Sequence, residues 1–295
     1  MTTEKQATPN EQRVVGRLAP TPSGYLHLGN AVNFVLTWLL VRRAGGALHL
    51  RIDDLDRARL RRPYLENIFR VIDWLGLDYD HGPHGPEDFL RHHSQLLHLP
   101  AYNRVLRRLA QQPGLLSGSQ RSRTASAAGP VPLGTPGAAW RARVPAGMVI
   151  EFGDGWQGAT QVLLATELAD FIVRKKDGVA AYQLASVVDD LRLGTTLIVR
   201  GLDLLPSTAA QLWLAAQLSE TRGFNDHRVR FYHHGLLTDA AGNKLSKSTQ
   251  ATGDQGVLAL GHPGPVYAAV ARLLALPAAA GESLASLQAA FNMSA

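Results

Sequence analysis

Residues 14–54 read VVGRLAPTPSGYLHLGNAVNFVLTWLLVRRAGGALHLRIDD. Val14–Leu18 is a short apolar run that predicts a buried strand, and it stops at a turn made by Pro20, Pro22 and Gly24. Apolar side chains then recur at helical spacing over 28–43 (Leu28, Val32, Val35, Leu36, Leu39, Leu40), with Gly29 and Asn30 near the start. Ala47–Ile52 (ALHLRI) predicts a second strand that runs into Asp53 and Asp54. Strand, helix and strand in about 40 residues open a parallel α/β sheet. Ligands of such sheets bind beyond the carboxyl ends of the strands, where the proline–glycine turn lies. A helix beginning near Gly29 aims N–H groups and the positive end of its dipole into that crevice, which suits phosphate. Asp53, ending the neighbouring strand, faces the same crevice.

The rest of the chain sets the scale around this unit. At 295 residues with 45% hydrophobic content, the chain exceeds one domain of about 100–200 residues, which implies two domains or one with a large insertion. A formal charge of +6 fits an acidic partner such as nucleic acid or phosphate. The absence of cysteine excludes disulfides, thiolate nucleophiles and Cys-type zinc sites. Residues 1–12 are polar and lack the apolar core of a signal peptide. Phe34–Val41 (FVLTWLLV) falls short of the ~20 apolar residues that span a bilayer. A cytoplasmic protein with no membrane association is expected.

Further along, 63–76 predicts a helix with proline at its start and glycine at its end, and 96–111 predicts another. Residues 117–137, rich in Ser, Gly, Pro, Ala and Thr, read as a loop. Strand signals return at Arg141–Val144, Met148–Phe152 and Phe171–Arg174, and Lys176-Asp177-Gly178 predicts a hairpin into Val179–Tyr182. Ala185–Asp190, Thr196–Arg200, a helix at 206–219 and a strand near 229–231 restore the α/β alternation, and 251–295 is largely alanine-rich helix. Gly153–Gly158 (GDGWQG) fits the spacing G-x-G-x-x-G. Trp156 and Gln157 suit a tight pyrophosphate turn poorly, so it is not read as a nucleotide site. His81, His84, His92 and His93 lack an ordered ligand pattern and read as solvated.

Five stretches in order carry a family resemblance: RLAPTPSGYLHLG from Arg17, RIDDLDRAR from Arg51, YQLASVVDD from Tyr182, IVRGLDLL from Ile198 and KLSKS from Lys244. Together they resemble the class I glutamyl-tRNA synthetases, with HLGN similar to the HIGH signature and KLSKS to the KMSKS signature. After KLSKS too little chain remains for the helical domain with which a full-length member reads the anticodon. The resemblance is therefore to the truncated branch that attaches glutamate to the queuosine base of tRNA(Asp).

The resemblance implies an α/β fold with a Rossmann-like parallel sheet, an inserted acceptor-type α+β subdomain and a short helical C-terminal segment. The expected division is a flexible tail over 1–12, one catalytic half over 13–96, the insert over 97–181 with a loop at 117–137, the second half over 182–250 with the KLSKS loop, and a helical remnant over 251–295 without an anticodon-binding domain. It implies that His27, Lys244 and Lys247 are catalytic, and that His27, Gly29, Asn30 and Lys247 bind ATP. Arg17, Leu18, Ala19, Pro20, Thr21, Asp53, Tyr182 and Arg200 fall on the glutamate-binding positions. Arginine suits that role because its fork can grip a carboxylate bidentately. The expected substrates are ATP with Mg²⁺, L-glutamate and tRNA(Asp), acting on a monomer.

Three departures are visible. Arg51-Ile-Asp53-Asp54 stands where the family has R-I-E-D, so the carboxylate sits back by about 1.5 Å, and on sequence alone Asp53→Glu is expected to tighten glutamate. Ser117-Gly-Ser-Gln-Arg121 matches the start of the branch's zinc motif without its thiolates, so no zinc and no other resident metal is expected. Val187–Leu191 reads VVDDL where the family has histidine at the last position. The alternatives are the same adenylation chemistry with a different amino acid or acceptor, or a non-catalytic RNA-binding relative.

Overall fold

The computed structural model describes residues 13–120, 129–225, 229–236 and 253–294. Strand β1 (Val15–Leu18) leads through the proline–glycine turn into α1 (Leu28–Arg43), and β2 (Ala47–Leu50) returns parallel to β1 in the register Arg17 with His49 and Leu18 with Leu50. Helix α1 is buried almost all round from Ala31 to Val41, as expected of a helix apolar on every face. It presses on β1 so closely that a Cβ at Gly16 would stand 2.3 Å from Val41. Successive strand side chains point to opposite faces, so glycine at 16 seats the helix while Arg17 faces away from it.

Helix α2 (Arg62–Trp74) and helix α3 (Leu99–Ala110) follow, both with proline in the first turn. Next come β3 (Leu116–Ser119), β4 (Ala139–Ala142), β5 (Val149–Asp154), β6 (Gly158–Leu163) and β7 (Phe171–Arg174). Helix α4 (Tyr182–Arg192), β8 (Leu197–Gly201), α5 (Leu205–Ala215) and β9 (Arg230–His234) complete the sheet region, and α6 (Gly264–Leu273) and α7 (Leu284–Met293) close the chain.

The main sheet has the order β2-β1-β8-β9-β5-β6, and β3-β4-β7 form a separate antiparallel sheet. Strands β2, β1, β8, β9 and β5 are parallel and β6 is antiparallel, so the α/β class read from the sequence is correct. The chain leaves β1 toward β2 on one side and comes back as β8 on the other. The crevice beyond the carboxyl ends of β1 and β8 is thus the topological switch point at which such sheets bind ligands.

Two local readings are corrected, and a third is located. Residues 117–119 belong to β3, and Gly118 also bridges to Val131, so that part of the 117–137 stretch is paired backbone. The second arm of the Lys176-Asp177-Gly178 hairpin is a single bridge from Arg174 to Ala180, after which Tyr182 starts α4. GDGWQG is the tight turn of the β5–β6 hairpin, with Asp154 opposite Gly158, and no helix follows it. No described helix is long and apolar enough to cross a membrane.

Candidate active site at the switch point

His27 caps α1. Its Nδ1 accepts the Gly29 N–H at 3.1 Å, and Asn30 Oδ1 accepts the His27 N–H at 3.0 Å. With Nδ1 accepting, the neutral imidazole carries its proton on Nε2. The Gly29 amide expected to face phosphate is thus spent on the cap, and the Asn30 amide bonds back to the His27 carbonyl, leaving Asn30 its Nδ2 as a donor.

The turn after β1 is held by the continuation of β2: Leu18 O accepts from Arg51 N at 2.9 Å and Pro20 O from Asp53 N at 2.8 Å. Leu18 and Pro20 are buried, Ala19 is half-buried and Thr21 is exposed. Arg51 and Asp53 lie two apart on extended backbone and share a face. Arg51 consequently grips both Asp53 oxygens, Nε to Oδ1 at 2.7 Å and Nη2 to Oδ2 at 3.1 Å.

Asp190, on the last turns of α4, joins the two strands. Its Oδ1 accepts Arg17 Nε at 3.0 Å and Arg51 Nη1 at 2.8 Å, and all three residues are buried. Burial would push the Asp190 carboxyl up, but the charges of Arg17, Arg51 and Arg200 outweigh it and hold it below the usual carboxylate range. Arg51, between Asp53 and Asp190, is held well above its ordinary value in spite of burial. Burial lowers Arg17, with Arg200 and Arg51 acting in the same sense against Asp190.

Arg17 uses only its Nε on Asp190; among the described residues its terminal nitrogens have no hydrogen-bond partner. Arg200 and Tyr182 are near enough to bear on its charge balance, and Tyr182 is 43% exposed at the start of α4. Arg17, Asp53, Tyr182 and Arg200 therefore gather around one crevice. Lys244 and Lys247 lie outside the described residues.

Sequence reasoning missed the frame of this site. Asp189 accepts Tyr102 Oη at 2.8 Å and Gln95 Nε2 at 2.8 Å, and Gln95 also reaches Asp53 at 3.3 Å. Asp54 takes Ser94 Oγ at 2.6 Å and Gln95 N at 2.8 Å. The paired acids of RIDD and VVDD were the available signal, since four carboxylates at element ends require buried donors. His92 and His93 both pair with Asp88. Among the described residues no group of three or more His, Asp or Glu is placed to hold a metal ion. A cavity of about 700 Å³ between β5 and β9 is lined by none of the candidate residues.

The family described as "tRNA synthetases class I (E and Q), catalytic domain" matches residues 13–111 and 136–293. The chain belongs to this family. Its members are ligases. The chain is 38% identical over 290 residues to the glutamyl-Q tRNA(Asp) synthetase of Burkholderia mallei, covering 94% of each. It is 38% identical over 266 residues to the protein of that name from Nitratidesulfovibrio vulgaris, covering 80% of this chain and 78% of that one. Among solved structures, a glutamate tRNA ligase from Elizabethkingia meningosepticum in complex with its amino acid superposes with TM-score 0.71 at 21% identity. It covers 95% of this chain and 65% of the other. A glutamate-tRNA synthetase from Elizabethkingia anophelis superposes with TM-score 0.65 at 24% identity, covering 81% and 53%. These two show the fold, and the chain spans roughly half to two thirds of their length.

Proposed function

We propose that this synthetase joins glutamate to ATP as glutamyl-adenylate and transfers the glutamyl group to the queuosine base of tRNA(Asp). The observation that carries the reading is Arg17: a buried guanidinium, anchored through Nε, whose two terminal nitrogens have no partner among the described residues and lie beside Arg200 at the switch point. That is a socket for a carboxylate. The names of the curated relatives support the amino acid and the acceptor.

In this reading a substrate carboxylate oxygen bonds to the α-phosphorus of ATP, the bond to the bridging oxygen breaks, and pyrophosphate leaves. His27 donates from Nε2 to phosphate, and Lys244 and Lys247 balance the departing charge, with Mg²⁺ accompanying the nucleotide. Leu18 to Thr21 form the backbone wall of the amino-acid site, and Tyr182 and Asp53 hold its polar groups. A nucleophile on the queuosine base then attacks the adenylate carbonyl and releases AMP.

Glutamate-stimulated ATP–pyrophosphate exchange, followed by transfer of labelled glutamate to tRNA(Asp) with and without queuosine, tests both steps. Exchange with no amino acid removes the first; transfer indifferent to queuosine removes the second. Asp53 gives a sharper check. Its carboxylate is clamped by Arg51 and Gln95, so the added methylene of Asp53→Glu displaces it by about 1.5 Å and breaks the clamp. Against the gain expected from sequence alone, the glutamate KM should rise roughly tenfold, the loss of one charge-assisted hydrogen bond. A lowered KM would mean that the clamp on Asp53 is incidental to glutamate binding.

A further inference from the structure

A second buried polar series runs from the crevice across the sheet. It starts at Arg200 on β8, passes Thr208 on α5 and His233 on β9, and ends at Asp154, the last residue of β5; Thr208 and His233 have no exposure at all. The distances are 2.9 Å from Arg200 Nη1 to Thr208 Oγ1, 2.9 Å from Thr208 Oγ1 to His233 Nε2, and 2.6 Å from His233 Nδ1 to Asp154 Oδ2.

Proton accounting fixes the two ends of the series. Arg200 has only donors, so Thr208 Oγ1 accepts from it. Asp154 is ionised: burial opposes this, but the donors around it hold its carboxyl below the usual range. His233 therefore donates from Nδ1, and in the neutral imidazole Nε2 is then the acceptor for the hydroxyl proton of Thr208. A cation at one end and a carboxylate at the other thus polarise a neutral hydroxyl–imidazole pair between them.

The far end of the series is itself pinned. Asp154 Oδ1 accepts the backbone N–H groups of Trp156 at 2.9 Å, Gln157 at 3.0 Å and His233 at 3.2 Å. The hairpin turn closes over β9 only because residue 155 is glycine, since a Cβ there would lie 2.0 Å from the Tyr232 ring.

We propose that Asp154, His233 and Thr208 are positioning residues that orient the Arg200 guanidinium toward the substrate carboxylate. The inference rests on the assignment of Arg200 to the glutamate site. Thr208 and Gln211 together hold Nη1 and Nη2 of Arg200, the latter at 2.7 Å, while its Nε is buried without a partner among the described residues. Two contacts fix the plane of the guanidinium, and with one removed the plane can turn. Thr208 is no nucleophile despite its Asp–His neighbours, because its hydroxyl is sealed from the crevice and already receives Arg200.

The test combines exchange kinetics with imidazole ¹⁵N NMR. Thr208→Val should raise the glutamate KM about tenfold while kcat and the ATP KM stay within about twofold, and Thr208→Ser should restore the wild-type KM. In the unmodified protein His233 should carry its proton on Nδ1. Asp154→Asn presents an N–H to that nitrogen, so the proton should move to Nε2 and the glutamate KM should rise as in Thr208→Val. An Nε2–H tautomer in the unmodified protein overturns the proposal without reference to kinetics. So does a normal glutamate KM in Thr208→Val when Arg200→Lys raises it. An Arg200→Lys enzyme with a normal glutamate KM instead removes the glutamate assignment of Arg200, and this proposal falls with it.

Discussion

Arg17→Ala is expected to raise the glutamate KM of the exchange reaction by about 100-fold or more, the loss of two charge-assisted hydrogen bonds in a buried site. The size follows from how the side chain is used. Nε is committed to Asp190 at 3.0 Å, and the two terminal nitrogens, without a partner among the described residues, remain available as a fork. Arg17→Lys keeps the charge but has one nitrogen for two tasks, so it cannot bond Asp190 and grip a carboxylate together. It should recover less than roughly a tenth of the lost affinity. A KM within about threefold of wild type in Arg17→Ala would place the substrate carboxylate elsewhere.

The second large effect concerns stability. Asp190→Asn keeps the volume but removes the one carboxylate shared by Arg17 and Arg51, leaving buried cations short of a counter-charge. Breaking a buried pair in this way costs about 3–5 kcal/mol. For a chain of this size that lowers Tm by roughly 6–20 °C. The pH dependence should change as well. Asp190 is held below the usual carboxylate range in the folded protein, so its contribution is complete above the unfolded value near pH 4 and fades as pH falls through the lower folded value. Thermal melts should therefore separate wild type from Asp190→Asn strongly at pH 7 and weakly near pH 2. Equal Tm values at pH 7 would show that Arg51, still paired with Asp53, carries the balance alone.

Local periodicity was enough for α1, whose predicted span of 28–43 is the observed one, and for β7 at Phe171–Arg174. Both are marked by uninterrupted apolar patterns between turn residues. Tyr182 was drawn into a strand because Lys176-Asp177-Gly178 is a good hairpin signal and Val179–Tyr182 holds no polar residue to end it. The helix that starts there has no side-chain cap to announce it. The site residues brought by family resemblance, Arg17, Asp53, Tyr182 and Arg200, come together around the crevice. Their supports could not be read, because Arg17 meets Asp190 across 173 positions and His233 meets Asp154 across 79. A sequence pattern carries no distance information on that scale. The glycine motif set aside as a nucleotide site is a hairpin turn, and its Asp154 anchors the series behind Arg200, a contact the motif itself does not announce.

The placement of β8 beside β1 has a consequence for how the molecule is made. Gly16 pairs with Leu197, and nothing between β2 and α4 supplies the carboxylate that Arg17 needs. At ribosomal rates of about 5–20 residues per second, Asp190 follows Arg17 out of the exit tunnel by roughly 10–35 s. During that interval Arg17 on β1 and Arg51, just beyond β2, have only Asp53 between them among the described residues. The Asp190 side of the crevice therefore forms late, when α4 arrives and closes a very long loop. A nascent chain stalled before residue 190 would have most of the apolar core of the first half and no counter-charge for Arg17.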